Sequence, residues 1–109
     1  MDAKTAEALE ASIEHWKRNA VAALKDVLIN SDACDLCKLF ARAQNGECDG
    51  CPIMGATQKD SCNGSPYEQC WSALMRWRLC PSDRAAESRF RRSAIREVAF
   101  LKSLRETDQ

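Results

Sequence analysis

The chain has 109 residues, 45% of them apolar, and its 16 Lys and Arg residues balance 16 Asp and Glu residues. This length fits a single domain, and the composition excludes the low-hydrophobicity, high-charge pattern of a disordered chain. No run of about 18 residues lacks a charge, so we expect no membrane-spanning helix.

The N-terminal residues Met1 to Glu7 carry acids where a secretory signal would have basic residues followed by an apolar stretch. We therefore expect a cytoplasmic protein. Its seven cysteines should then be reduced, and reduced cysteines at short regular spacings are more often metal ligands than disulfides.

The first predicted element is one long amphipathic helix over residues 2–30. Asn30 and the residues after it offer stop and cap signals. His15 lies away from the apolar stripe, so it is predicted to be a solvated surface residue rather than a zinc ligand. The stripe consists of Ala6, Leu9, Ile13, Trp16, Ala20, Ala23, Leu24 and Val27.

Residues 31–64 are predicted to be an irregular loop region, because turn-type pairs such as Asn45-Gly46 and Asp49-Gly50 interrupt it. A short helical turn through Cys37 to Ala43 is the one regular element expected there. The region has too little apolar surface to offset a conformational cost of about 1.5 kcal/mol per residue. Another source of stability must order it.

A helix over residues 66–79 follows, with Ser65 as N-cap, Pro66 at its first position and Glu68 completing a capping box. Pro81 ends it. The apolar residues near one face are Tyr67, Cys70, Trp71, Leu74, Met75 and Leu79. Buried free cysteine is common, so Cys70 is predicted to be a core residue. Cys80 is equally consistent with buried filler and with an exposed thiol.

The last predicted helix covers residues 82–105, with Ser82 at its start and the acidic residues Asp83 and Glu87 in its first turns. Arg89, Arg92 and Arg96 line the face opposite its apolar stripe. The stripe residues are Ala86, Phe90, Ala94, Val98, Leu101 and Leu104. Together these elements predict one all-α domain over residues 1–109, with three main helices around a loop-rich, cysteine-liganded metal knuckle. The stripes could also be buried across a homodimer interface.

Two C-x2-C pairs, Cys34-Cys37 and Cys48-Cys51, are followed by Cys62 in the loop region. Such pairs can each hold one edge of a tetrahedral ion, so the spacing predicts a structural zinc site. Five cysteines exceed the four that one zinc needs, and Cys34 ranks below the others because it could pack at the start of a helical turn. The pair Cys51-Pro52 leaves an iron–sulfur cluster as an alternative to zinc, because proline often follows a cluster ligand.

These residues resemble short cysteine-rich proteins of tailed bacteriophages. The resemblance covers roughly residues 9–70, although Ser65 stands where those proteins favour threonine. It implies an accessory protein acting in the host bacterial cytoplasm, with no activity to carry over. The features that match are Ser12-Ile13-x-His15-Trp16, Cys34-x2-Cys37, Cys48-x2-Cys51-Pro52 and Cys62-x-Gly64-Ser65-Pro66-Tyr67.

The chain shows no acid–base pair, activated nucleophile or phosphate loop, so we expect a non-enzymatic role. The leading hypothesis is a zinc-stabilised module that binds, and inhibits, a host or phage protein. Tryptophan and arginine are frequent interface hot spots, and Trp77 with Arg78 is the predicted contact. Trp16 and Trp71 are more readily explained as core or core-edge residues.

Nucleic-acid binding is the second hypothesis, because residues 71–109 carry nine basic and five acidic side chains, whereas residues 1–70 carry seven and eleven. The arginines of the last predicted helix that would bind phosphates are Arg84, Arg89, Arg91, Arg92 and Arg96. A third hypothesis, iron–sulfur redox or sensing chemistry, predicts a coloured protein.

Overall fold

The computed structural model describes residues 3–29 and 65–106. Within these ranges the chain forms three α-helices, α1 (Ala3–Asn19), α2 (Tyr67–Leu79) and α3 (Arg84–Glu106), and one 3-10 turn (Leu24–Asp26). No strand occurs in these two ranges, so the predicted all-α class is confirmed for the part described. The predicted loop region and metal knuckle lie outside the described residues.

The first helix is shorter than predicted, because α1 ends at Asn19 instead of continuing to residue 30. The buried Asn19 side chain donates to the carbonyl of Leu28 at 2.9 Å and accepts the Leu28 N–H at 3.2 Å. These two bonds hold the chain as it turns back. Val27 is buried in the core although it lies after the end of α1. Its burial explains why the apolar pattern continued beyond Asn19.

His15 takes part in the same turn, so it is not the fully solvated residue that we predicted. Its Nε2 lies 2.5 Å from the Leu28 carbonyl oxygen and 3.3 Å from Nδ2 of Asn19. The imidazole is half-buried, and its contacts are those of a residue that stabilises the chain reversal.

Helix α2 agrees with the predicted range to within one residue. The N-cap position is held by Pro66 instead of the predicted Ser65, which lies one residue earlier and whose hydroxyl accepts the N–H of Tyr67 at 3.2 Å. The buried face of α2, however, consists of Cys70, Ala73, Leu74 and Trp77. Trp71 is 51% exposed, which corrects its assignment to the core or its edge.

Helix α3 begins two residues later than predicted, because Asp83 caps it in place of Ser82. One carboxylate oxygen of Asp83 accepts the N–H groups of Ala85 at 3.0 Å and Ala86 at 3.1 Å. These backbone N–H groups, that of Ala86 above all, lower the pKa of Asp83. A carboxylate is the better cap at a helix N-terminus, since it also interacts favourably with the helix dipole.

One apolar core joins the three helices. α2 and α3 form a hairpin across the short turn at residues 80–83, and α1 packs against α3. The rings of Trp77 and Phe90 lie 5.8 Å apart, and those of Trp16 and Tyr67 meet edge to face at 6.2 Å. The buried faces of the three helices pack against one another in this core, but Trp71 and Leu79 of the predicted α2 stripe stay outside it.

Polar contacts fix α1 on this hairpin. Arg105, near the end of α3, forms a bidentate pair with Glu10 of α1. The Tyr67 hydroxyl donates to the Ile29 carbonyl at 2.9 Å. None of the helices in the described ranges combines the length and apolar character needed to cross a membrane.

Candidate functional site

A groove of about 700 Å³ runs between α2 and α3. Among the described residues four arginines line it, one from α2 and three from α3, and we call it the arginine groove. Its neutral lining is small or polar. The lining residues are Glu68, Gln69, Ser72, Ala73, Arg76, Ala86, Arg89, Arg92, Ser93 and Arg96.

The hairpin explains how the four arginines meet. Arg89, Arg92 and Arg96 are spaced three and four residues apart, so they share one face of α3. Arg76 comes from the last turn of α2 and lies near the hairpin turn, where its Nε is 3.6 Å from a carboxylate oxygen of Asp83. Arg89, Arg92 and Arg96 are exposed and form no salt bridge with any described residue.

Three of the five arginines predicted to bind phosphates line the arginine groove, and two do not. Arg89, Arg92 and Arg96 lie in the groove, whereas Arg84 is exposed but does not line it. Arg76 was not among the five, although it lies four residues after Ser72 on the side of α2 that faces α3. Arg76 could have been identified from the sequence, because polar residues four apart on a helix that ends in a short turn before the next helix should face that next helix.

The guanidinium of Arg91 contacts other residues of this chain, which corrects the assignment of Arg91 to the phosphate-binding surface. Its guanidinium lies 5.3 Å from the centre of the Trp77 ring and donates to the Ala20 carbonyl at 2.9 Å. It also pairs with Glu87, at 2.9 Å between Nη2 and the carboxylate. These contacts use the donors of Arg91 to join α3 to the end of α1.

Trp77 is buried in the core, with 4% of its surface exposed, so the prediction that it is presented at the surface is wrong. Its position on α2 faces Phe90 of α3. Trp71 is the exposed tryptophan instead. Leu79, eight residues later, is also exposed, whereas Met75 between them is partly buried against the core. We call these three residues the apolar stripe of α2.

A buried carboxyl group, Glu97, interrupts the apolar side of α3 and was not singled out from the sequence. Its side chain is 1% exposed, and its Oε1 has no hydrogen-bond partner in the part of the chain described. Burial raises its pKa to about 7, while a hydrogen bond with the Ser65 side chain acts in the opposite direction. The spacing was visible, because Glu97 follows Ala94 by three residues and precedes Leu101 by four.

The two cysteines within the described residues differ sharply. Cys70 is buried, as predicted, and burial together with the nearby Glu97 raises the pKa of its thiol to about 12. It remains a neutral thiol at any ordinary pH and is a poor nucleophile. Cys80 is exposed, with its sulfur 3.8 Å from the Ser82 hydroxyl, which resolves the alternative left open for it.

The predicted metal ligands lie outside the described residues. They are Cys34, Cys37, Cys48, Cys51 and Cys62. Residues 3–29 and 65–106 by themselves hold no group of three or more His, Cys, Asp or Glu side chains that could bind a metal. The zinc and iron–sulfur hypotheses therefore stay predictions from the cysteine spacing.

No protein-family model matches this chain, and comparisons with curated proteins and with solved structures gave no significant match. The resemblance to cysteine-rich phage proteins stays a prediction. The described residues form an all-α core with two surface features, the arginine groove and the apolar stripe of α2, whose exposed members are Trp71 and Leu79.

Proposed function

We propose that this protein is a metal-stabilised binding module that docks on another protein, encoded by a phage or its bacterial host, through the apolar stripe of α2. The observation that carries the proposal is the exposure of Trp71 and Leu79, at 51% and 87%, on one side of a helix that also buries a full apolar face. A single exposed apolar side chain is ordinary, whereas two on one side of a helix, with the partly buried Met75 between them, resemble a helix that enters a partner's groove.

The charges beside the stripe indicate the chemistry of the partner. Arg76 and Arg78 are exposed on the same helix, on either side of Met75 and Leu79. A partner groove with an apolar floor and acidic residues at its rim would be complementary to this arrangement. The proposal includes inhibition of the partner, since a protein docked on a functional surface blocks access to it.

Loss of Leu79 and Trp71 should abolish docking. Tagged wild-type protein and the double variant Trp71→Ala/Leu79→Ala would be used to capture proteins from lysate of a bacterial host. We expect wild-type protein to retain one protein species that the double variant loses, because each substitution removes an apolar anchor.

Ile95→Ala is the matched control, since Ile95 is a large apolar residue of α3 that is 60% exposed and lies outside the stripe. This variant should retain the same species as wild-type protein. Equal retention by the double variant, or equal loss in the control, would show that the stripe is not the docking surface. Circular dichroism of each variant checks that its helices are intact.

The metal is part of the same proposal. Four thiolates from the central cysteines would hold one zinc ion in a closed shell, which supplies folding free energy and leaves no open position for catalysis. Cys37, Cys48, Cys51 and Cys62 are the first choice, with Cys34 as the alternative fourth ligand. The donor set is also compatible with an iron–sulfur cluster, which is the competing cofactor.

Metal content distinguishes the two cofactors. We expect mass spectrometry of anaerobically purified protein to find about one zinc per chain, with no visible absorption band. Cys48→Ser/Cys51→Ser should lose the metal, whereas Cys80→Ser should keep it, because Cys80 is an exposed thiol outside the predicted ligand set. Iron with a band near about 400 nm would contradict the zinc assignment.

A further inference from the structure

We infer that the arginine groove binds the phosphate backbone of double-stranded nucleic acid, an activity beyond the protein docking proposed for the apolar stripe of α2. The groove brings Arg76 of α2 together with three arginines of α3 around one cavity of about 700 Å³. Guanidinium groups donate in a planar fork that matches two phosphate oxygens, so several of them in one groove favour a ligand with repeated anionic groups.

The positive charge of the three α3 arginines in the groove is not used by a salt bridge within the described residues. Arg91 pairs with Glu87 and Arg105 with Glu10, but the three α3 arginines of the groove have no such partner among the described residues. Among the described lining residues Glu68 is the acidic one, and it lies on the first turn of α2, away from the hairpin turn. Arg76 lies 3.6 Å from the Asp83 carboxylate at the other end, so the unpaired positive charge of the groove is that of Arg89, Arg92 and Arg96.

The neutral lining favours nucleic acid over an acidic protein segment. Gln69, Ser72 and Ser93 are hydrogen-bonding residues, and the apolar members are the small residues Ala73 and Ala86. Protein–protein interfaces usually centre on apolar or aromatic anchors, whereas protein–DNA interfaces are more polar and more positively charged. The exposed aromatic residue, Trp71, is not part of this lining.

The same composition favours a duplex over a single strand. Single-stranded nucleic acid is usually held by bases stacked on aromatic rings, and none of the described residues that line the groove is aromatic. The α3 arginines extend over eight residues, from Arg89 to Arg96, or about 10 Å of helix. One strand of a duplex presents about three phosphates over that length of its axis, which fits one phosphate for each of Arg89, Arg92 and Arg96.

The salt dependence of binding tests this inference. A fluorescein-labelled 20-base-pair duplex would be titrated with the full chain and followed by fluorescence anisotropy between 50 and 200 mM salt. Contacts with three or four phosphates predict that binding weakens by about 40- to 150-fold over this range. Arg92→Gln should reduce the slope of log affinity against log salt by about 1, and Arg89→Gln/Arg92→Gln/Arg96→Gln should abolish binding.

Arg84→Gln is the control, because Arg84 is exposed on α3 but does not line the groove, and it should bind as wild-type protein does. No binding of the duplex at 50 mM salt would overturn the inference. An equal loss in Arg84→Gln and Arg92→Gln would also overturn it, since binding would then follow net charge. Tight binding of a labelled polyglutamate peptide without binding of the duplex would assign the groove to an acidic protein instead.

Discussion

Replacing Phe90 by alanine is expected to lower the free energy of unfolding by about 3 to 5 kcal/mol. Phe90 is fully buried, and its ring lies 5.8 Å from that of Trp77, which places it where α3 meets α2. Alanine would remove the apolar surface and leave a cavity between two helices that are already held by a short turn. The cavity could close only if α2 and α3 moved together, which would disturb the packing of Trp77.

Urea unfolding followed by circular dichroism measures this loss, at the same metal content for every variant. Phe100→Ala is the matched control, because Phe100 is the same residue type on the same helix but only half-buried at the edge of the core. Its loss should be clearly smaller, since less apolar surface leaves water there. Equal losses in the two variants would show that Phe90 does not centre the core.

Replacing Glu97 by glutamine is expected to raise the free energy of unfolding at pH 8 by up to about 3 kcal/mol. Burial raises the pKa of Glu97 from 4.5 to about 7, so the folded protein keeps a proton that the unfolded chain releases. The stabilisation from the protonated carboxyl is complete below about pH 4.5 and is lost as the pH rises to about 7. Glutamine is neutral throughout and avoids this loss.

The measurement compares wild-type protein and the Glu97→Gln variant by urea unfolding at pH 5 and at pH 8. The difference between the two proteins should be larger at pH 8. Comparing variants matters because metal–thiolate binding would add its own pH dependence to both. Glu14→Gln, which removes an exposed carboxyl from α1, should match wild-type protein at both pH values. A Glu97→Gln variant no more stable than wild type at pH 8 would contradict the raised pKa.

The buried carboxyl of Glu97 also contacts the residue that follows the cysteine-rich region in the sequence. Glu97 hydrogen-bonds Ser65, the residue that begins the second described range and follows the cysteine-rich region directly. Ser65 also accepts the N–H of Tyr67 and so helps to begin α2. One buried side chain of α3 therefore contacts the point where the cysteine-rich region joins the helical core.

The sequence by itself determined those elements whose ends are set by local chemistry. Ser65 and Pro66 mark the start of α2, and Pro81 follows its end, because a cap, a fixed φ angle and a missing N–H act within a few residues. The apolar side of α3 was also readable, since Phe90, Ala94 and Leu101 repeat at helical spacing and are all buried. Local signals of this kind fixed the helical class and the order of the elements.

Only the tertiary structure decided which neighbour each side chain meets. Asn19 ends α1 through bonds to Leu28, nine residues further on, while the apolar periodicity continued unbroken. Trp71 was predicted on the apolar side of α2 and Trp77 at the surface, but the position of α3 buried Trp77 and left Trp71 exposed. Arg76 joined the arginines of α3 only because the hairpin brought the two helices together. The spacing of apolar residues predicts that one face of a helix is buried, whereas the packing of the helices determines which residues bury that face.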